Sequence, residues 1–232
     1  IWSDVATTKL YITGGIGAEG GHEGFGGKYE LPNATAYCET CASFANVFWN
    51  HRMFLMRGDA KYMDVLERTL YNAALSGISM EGDTFFYPNV LESTGGHERS
   101  AWFGCSCCPS NVARFIPSMP GYIYATKGND LYVNLFVGGD ATLKTAAGEV
   151  QLSQRTEYPW KGEVAISVEP AQSGAFAVFV RIPGWARNEP APSDLYKFAD
   201  TVSQKPSIQV NGKTVAFEVE KGFARIERTW EK

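Results

Sequence analysis

The spacing of apolar residues divides the chain into a helical first part and a strand-rich second part. Apolar side chains recur every three or four residues over residues 2–12, 44–55 and 60–77, which predicts three helices. The short Gly58-Asp59 turn between the last two predicts an antiparallel helix pair. A further helix is predicted over residues 109–116, because proline suits the first helical position.

From residue 130 onward the apolar residues alternate with polar ones, as in strands with one buried face. The predicted strands cover residues 131–137, 164–168, 176–182, 208–210, 214–219 and 223–228. Asn211-Gly212 predicts a type I′ hairpin between two of them. Short, regularly spaced strands indicate a β-sandwich. The expected fold class is therefore α+β and multidomain, with helices in residues 1–126 and strands in residues 127–232.

A glycine-rich loop occupies residues 14–27 and contains the G-x-G-x-x-G pattern of dinucleotide sites. Its context does not fit such a site, because a helix and not a strand precedes it. In addition, Glu19 and Glu23 would repel a pyrophosphate. The alternative is a loop that passes close to another part of the protein, such as a sugar pocket, where only glycine fits.

Composition narrows the class of protein. The chain has 232 residues, of which 44% are hydrophobic and 20% charged, as in soluble globular proteins. A net charge of −4 and the lack of a basic run exclude nucleic acid as the expected partner. No apolar run approaches the roughly 18 residues of a membrane helix. The expected partner is a neutral small molecule.

Five cysteines carry the candidate chemistry: Cys38, Cys41, Cys105, Cys107 and Cys108. Adjacent cysteines rarely form a disulfide with each other, because the ring that they would close is strained. The closely spaced Cys105, Cys107 and Cys108 therefore indicate a metal or nucleophile site. Free thiols favour a reducing, cytoplasmic compartment. Because the chain begins with Ile1 and not Met, we expect it to be cut from a longer protein.

Two helix starts could bring metal ligands together. Thr40 is an N-cap residue type, so a helix that starts after it leaves Glu39 extended and able to converge with Cys41. Cys107-Cys108 lies before Pro109 in the same way. Zinc accepts such mixed thiolate and carboxylate sets, and a helix N-terminus would help to hold a thiolate. The alternatives are buried free thiols, or a structural zinc site with inert thiolates.

Glu23, beside His22, is a candidate general acid in the glycine-rich loop. Partial burial would favour its protonated form, as an acid/base role requires. The alternative is a solvated surface carboxylate. His51 suits a core or surface position within a helix, and no role is assigned to Cys38, Cys105 or His97.

Taken together, several motifs resemble one family, the β-L-arabinofuranosidase glycoside hydrolases. The segments that carry the resemblance are Tyr11-Ile12-Thr13-Gly14-Gly15-Ile16-Gly17, His22-Glu23, Tyr37-Cys38-Glu39-Thr40-Cys41-Ala42-Ser43, Gly58-Asp59-Ala60-Lys61-Tyr62 and Cys107-Cys108-Pro109-Ser110-Asn111. The resemblance implies that residues 1–126 are the C-terminal portion of an (α/α)6 catalytic barrel. It also implies that residues 127–232 are a β-sandwich domain.

The resemblance also implies a role for individual residues. The zinc ligands would be Glu39, Cys41, Cys107 and Cys108. Cys107 would be the nucleophile and Glu23 the general acid/base, with Tyr87 near the substrate. The implied reaction is retaining hydrolysis of β-L-arabinofuranosides, within oligosaccharides or glycoconjugates, through a thioglycosyl intermediate on Cys107.

Only part of such a barrel fits within this chain. We therefore expect an exposed apolar surface where further helices would pack, covered by another chain in an oligomer. The piece alone is expected to be inactive. The alternative function is a non-catalytic sugar-binding or interaction module with a structural zinc site.

Overall fold

The computed structural model describes all 232 residues and shows a mixed α+β fold. The chain forms two compact units. The helical unit comprises Ile1–Ser118 and Gly184–Ser203, and the strand unit comprises Met119–Pro183 and Gln204–Lys232. A segment from the strand-rich part of the sequence thus belongs to the helical unit. No helix is long and apolar enough to cross a membrane.

The α-helices of the helical unit are α1 (Trp2–Thr8), α2 (Thr40–Arg57), α3 (Ala60–Thr69) and α4 (Cys107–Ser118). After α3 the chain continues through a π-helical turn, Leu70–Ala74, and a 3-10 turn, Leu75–Gly77. The predicted helical stretch over residues 60–77 is confirmed, although only its first part is α-helical. Further 3-10 turns cover Met119–Tyr122, in the strand unit, and Gly184–Arg187.

The ends of α1, α2 and α3 follow from local chemistry. The hydroxyls of Thr7 and Thr8 donate to carbonyls four residues back, and α1 stops there and not at the predicted residue 12. Gly58 ends α2 in the left-handed conformation, at φ 62°. Asp59 then caps α3 by accepting from the Lys61 N–H at 3.0 Å. The antiparallel helix pair is confirmed.

The Gly184–Ser203 segment is attached to the helical unit by polar and apolar contacts. Arg187 forms an ion pair with Asp64 of α3, at 3.1 Å. The Tyr196 hydroxyl donates to the Leu10 carbonyl at 2.9 Å. Leu195 packs against a buried cluster formed by Val5, Leu10, Ile16 and Val65. These contacts join residues far apart in sequence.

The strand unit contains ten strands in three sheets. They are β1 (Tyr124–Lys127), β2 (Asp130–Val133), β3 (Gly139–Thr145), β4 (Gly148–Thr156), β5 (Val164–Pro170), β6 (Gly174–Arg181), β7 (Ile208–Val210), β8 (Lys213–Val215), β9 (Glu218–Glu220) and β10 (Phe223–Trp230). The sheet orders are β1-β2-β6-β10-β9, β3-β4-β5 and β7-β8. Leu131 of β2, Leu152 of β4 and Val178 of β6 share one buried cluster, so the two larger sheets contribute to the same core.

The hairpin at Asn211-Gly212 is confirmed. Both residues have positive φ, 51° and 74°, as a type I′ turn requires, and β7 pairs with β8 across them. The single strand predicted over residues 214–219 is wrong, because the chain there leaves β8 and joins another sheet as β9. The strand predicted over residues 131–137 ends at Val133. The sequence also missed β1, β3 and β4.

Candidate functional site

Four side chains from the starts of α2 and α4 converge: Glu39, Cys41, Cys107 and Cys108. Their ligand atoms all lie within 4.8 Å of one another. The sulfur of Cys108 is 3.5 Å from that of Cys41 and 3.9 Å from that of Cys107. Glu39 Oε1 accepts from the Cys107 and Cys108 thiols at 3.3 and 3.5 Å. This group, called the thiol cluster below, could hold a metal ion.

At the start of α2, Glu39 is the N-cap residue, with extended backbone at φ −54° and ψ 141°. The predicted cap, Thr40, is instead the first helical residue. Its hydroxyl donates to the Phe86 carbonyl at 2.8 Å and accepts from Asn89 Nδ2 at 3.0 Å, so it is not available as a cap. Glu39 is extended as expected, and it lies beside Cys41 of the first turn.

The start of α4 lies two residues earlier than predicted. Cys107 and Cys108 are its first residues, and Pro109 is the third. Proline is tolerated there because the N–H groups of a first turn have no partner within the helix. The helix also continues through Pro117 to Ser118, beyond the predicted end at residue 116. Both thiols therefore lie at the positive end of the α4 dipole.

In the protein without a bound ion, the burial and close spacing of the thiols determine which of them ionises. Burial raises the pKa of Cys107 to about 12. The hydrogen bond between Cys41 and Cys108 lowers the pKa of Cys41 to about 7, and the same bond raises the pKa of Cys108 well above its usual value. Cys41 is thus the thiol that ionises most readily. Further thiolates would be like charges at close range, which a cation would neutralise.

Tyr87 lies against the thiol cluster. Its hydroxyl is 3.0 Å from Cys107 Sγ, and this hydrogen bond, with burial, raises the pKa of Tyr87 far above its usual value. The Thr40 N–H donates to the Tyr87 carbonyl at 3.0 Å, so the residue is tied to the start of α2. The Tyr87 ring also meets Phe103 edge-on, with centroids 5.2 Å apart.

Glu23 is exposed, so it lacks the partial burial that would favour its protonated form and has the surface position of the alternative interpretation. It lies in a tight turn closed by a bridge between Glu19 and Gly24, with a φ of 50°. Its carboxylate accepts a hydrogen bond from the Tyr37 hydroxyl at 3.2 Å. The turn thus places the carboxylate at the surface, held from one side by a tyrosine.

Tyr37 is a site residue that the sequence analysis missed. The centroids of the Tyr37 and Tyr87 rings are 6.4 Å apart. Tyr37 contacts Glu23 and Tyr87 contacts Cys107, so the two neighbouring tyrosines lie between Glu23 and Cys107. Burial, together with the charges of Glu39 and Glu23, raises the pKa of Tyr37 above its usual range. The sequence carried no usable signal for Tyr37, because Cys38, between Tyr37 and Glu39, has a φ of 38° and the segment is not a regular strand.

Two asparagines were also missed. Asn111 Nδ2 donates to Cys41 Sγ at 3.1 Å. Asn89 is buried and donates to the Cys38 carbonyl at 2.9 Å as well as to Thr40, which fixes the segment that leads into α2. The position of Asn111 one turn after Cys107 was a usable signal, whereas nothing in the sequence singled out Asn89.

Two cysteines lie outside the thiol cluster. Cys38 is buried among Tyr11, Ala18 and Ala36, and burial raises its pKa to about 12. Cys105 is exposed, and its thiol interacts with the Tyr87 hydroxyl. The structure therefore separates the five cysteines into one packing residue, one surface residue and three cluster members.

His97 has a structural position. Its Nε2 lies 3.0 Å from the Pro88 carbonyl, and its ring stacks on Phe86 with centroids 4.6 Å apart. It thereby supports the segment that carries Tyr87. His51 is half-buried in α2, where burial lowers its pKa.

Close approach explains two glycines of the glycine-rich loop. A Cβ at Gly14 would lie 2.6 Å from Thr69 Oγ1 at the end of α3. A Cβ at Gly15 would lie 3.0 Å from the Cys38 sulfur. At these positions the loop passes close to other parts of the helical unit, as its alternative interpretation expected.

Family comparisons agree with this organisation. The model for the β-L-arabinofuranosidase GH127 catalytic domain matches residues 1–121. The chain belongs to the GH127 β-L-arabinofuranosidase family. The model for the GH127 middle domain matches residues 130–232, so the GH127 domains meet close to where helices give way to strands. The family expected from the sequence is confirmed.

Individual GH127 relatives are longer than this chain. A non-reducing end β-L-arabinofuranosidase of Bifidobacterium longum subsp. longum is 34% identical over 241 residues, which cover 97% of this chain and 34% of the relative. A solved GH127 β-arabinofuranosidase is 52% identical, with a TM-score of 0.95 over 100% of this chain and 36% of its own.

A GH127 β-L-arabinofuranosidase structure from Geobacillus stearothermophilus T6 is 38% identical, with a TM-score of 0.88 over 100% of this chain and 36% of its own. The chain therefore spans about a third of the length of these relatives.

Proposed function

We propose that this chain is part of a retaining glycosidase that releases L-arabinofuranose from β-L-arabinofuranosides. Cys107 is the nucleophile and Glu23 the general acid/base. The observation that carries the proposal is the position of Cys107, which lies in the thiol cluster and 3.0 Å from the Tyr87 hydroxyl. Membership of the GH127 family, and the activity named for its relatives, support the choice of substrate.

The proposed metal is zinc, held by Glu39, Cys41, Cys107 and Cys108. With Zn–S bonds of about 2.3 Å and a Zn–O bond of about 2.1 Å, a tetrahedral site has sulfurs about 3.8 Å apart and sulfur–oxygen distances of about 3.6 Å. Two of the three sulfur pairs, at 3.5 and 3.9 Å, and two of the three sulfur–oxygen pairs, at 3.3 and 3.5 Å, are close to those lengths. When bound, zinc keeps the Cys107 sulfur deprotonated and tunes it as nucleophile and leaving group.

The reaction has two steps on residues of this chain. Glu23 protonates the leaving oxygen while the Cys107 sulfur attacks the anomeric carbon, so that the C–O bond breaks as a C–S bond forms. Glu23, now a carboxylate, removes a proton from water, which attacks the same carbon and releases the sugar and the Cys107 thiolate. The Tyr37 hydroxyl orients Glu23, and the Tyr87 hydroxyl donates to the thiolate.

The proposal extends to architecture and partners. The helical unit is the later part of an (α/α)6 barrel, and the strand unit is a β-sandwich whose two larger sheets share one core. The substrate is an oligosaccharide or glycoconjugate. Leu55 and Met56 of α2 and Ile116 of α4 are exposed apolar side chains, and a second chain covers exposed apolar surface of the helical unit.

The test compares Cys107→Ser with Cys105→Ser in the complete protein, on an aryl β-L-arabinofuranoside. Loss of the nucleophile is expected to lower kcat by about 1,000-fold or more. The matched variant, at an exposed thiol two residues away and outside the thiol cluster, is expected to retain activity, because serine keeps a hydrogen-bonding group beside the Tyr87 hydroxyl. Wild-type turnover by Cys107→Ser would refute the proposal. Metal analysis under reducing, chelator-free conditions should find one zinc per chain.

A further inference from the structure

α4 supplies two members of the thiol cluster and also contacts a third. Asn111 lies four residues after Cys107 and three after Cys108, so it shares their face of the helix. Side chains on a helix point back toward its N-terminus, which directs Asn111 over the thiols. Its Nδ2 lies 3.1 Å from the sulfur of Cys41, which belongs to α2. The contact thus joins the two helices at a ligand sulfur.

The hydrogen bond from Asn111 to Cys41 differs chemically from the hydrogen bond between Cys107 and Tyr87. An amide N–H only donates and carries no charge that titrates, so it favours the thiolate of Cys41 at any pH at which that thiolate exists. Cys107 instead faces the Tyr87 hydroxyl, which can turn and accept as well as donate.

Burial does not distinguish Cys41 from Cys107. Cys41 and Cys107 are both half-buried, whereas Cys108 is buried. A hydrogen bond to a thiolate stabilises the anion, which is the form that binds a metal. The fixed amide on Cys41 therefore distinguishes it from Cys107, whose partner is a rotatable hydroxyl.

We propose that Asn111 is a positioning residue of the metal site. Its amide holds the Cys41 sulfur in place as a ligand and so strengthens zinc binding. The inference rests on the proposed function, since it takes the thiol cluster to be the zinc site.

Three variants isolate the contact. Asn111→Ala removes the donor, and loss of such a partner raises the zinc dissociation constant by about 10-fold to 100-fold. Asn111→Asp keeps the shape but sets a carboxylate against the thiolate, so the loss is at least as large. Ser110→Ala is the matched control, because Ser110 is exposed on the same turn and its hydroxyl returns to the Ser106 carbonyl at 2.6 Å.

The experiment uses the complete protein and a readout that needs no turnover. Competition with a chromophoric chelator measures the zinc dissociation constant of each variant. Thermal melting of the zinc-loaded proteins checks folding, and Asn111→Asp carries the test if Asn111→Ala does not fold.

We expect weaker zinc binding in both Asn111 variants than in Ser110→Ala. Zinc binding within about twofold of Ser110→Ala, a change too small to reflect a lost ligand contact, would overturn the inference. Failure of the proposed function gives a different result, namely full activity in Cys107→Ser or no zinc binding by the wild-type protein.

Discussion

The hydroxyl of Tyr87 lies 3.0 Å from the sulfur of Cys107. The carbonyl of the same tyrosine accepts from the Thr40 N–H, so Tyr87 is held by the helix start that also carries Glu39 and Cys41. Because the pKa of Tyr87 is raised far above its usual value, the residue remains a hydroxyl in the physiological range. It accepts from the Cys107 thiol and donates to the thiolate.

Replacing Tyr87 by phenylalanine removes this donor and keeps the ring that packs on Phe103. A hydrogen bond to a charged group of this kind is expected to contribute about 10-fold to 100-fold in kcat. Steady-state kinetics on an aryl β-L-arabinofuranoside measure the effect. Tyr29→Phe is the control, because Tyr29 is 64% exposed. A kcat of Tyr87→Phe equal to that of the control would show that the hydroxyl does not act on the sulfur.

Tyr37→Phe tests whether the Tyr37 hydroxyl orients Glu23, to which it donates at 3.2 Å. A poor leaving group needs protonation by Glu23, whereas an activated aryl group does not. We therefore expect kcat/KM to fall by about 10-fold on an alkyl glycoside and by less than about twofold on an activated aryl glycoside.

The ratio of the two kcat/KM values is the readout in this experiment. Glu23→Gln should change it in the same direction and further, which provides the positive control. An equal loss on both substrates would mean that Tyr37 only supports packing.

The two helix starts show which parts of the site could be predicted from the sequence. Pro109 placed the start of α4 to within two residues, because proline is well tolerated in the first turn of a helix. The starting residue itself was not predictable, since every position of a first turn lacks an N–H partner within the helix. Thr40 was mistaken for a cap because its partners, Phe86 and Asn89, are distant in sequence.

In the strand-rich part of the sequence too, a feature set by adjacent residues was predicted, and features set by residues distant in sequence were not. Asn211-Gly212 encodes its hairpin locally, through two positive φ values, and was predicted. β3 was missed because its residues are mostly polar and largely exposed, which leaves little alternation to detect. The return of Gly184–Ser203 to the helical unit depends on Arg187 meeting Asp64, a contact that no local pattern encodes.

Gly77 packs closely against Thr40, the first residue of α2. A Cβ at Gly77 would overlap the hydroxyl and methyl groups of Thr40, which lies between the cluster members Glu39 and Cys41. Gly77→Ala is therefore expected to lower the free energy of unfolding by about 1–3 kcal/mol and to weaken zinc binding. Denaturant unfolding and chelator competition measure the two effects.

Gly162→Ala is the matched control for that substitution. Nothing lies within 4 Å of a Cβ at Gly162, and its φ is outside the left-handed region. If Gly77→Ala unfolded at the same denaturant concentration as Gly162→Ala, Thr40 would have room to move. The close packing of Gly77 against Thr40 would then not constrain the site.

The identity of the nucleophile is the central claim, and trapping the intermediate tests it most directly. In the complete protein, Glu23→Ala should form the glycosyl-enzyme rapidly from an activated aryl β-L-arabinofuranoside and hydrolyse it slowly, because the base for the second step is missing. Quenching followed by peptide mass spectrometry should find one arabinofuranosyl group on Cys107. Attachment to any other residue, or release of a product with inverted anomeric configuration and no adduct, would contradict the account.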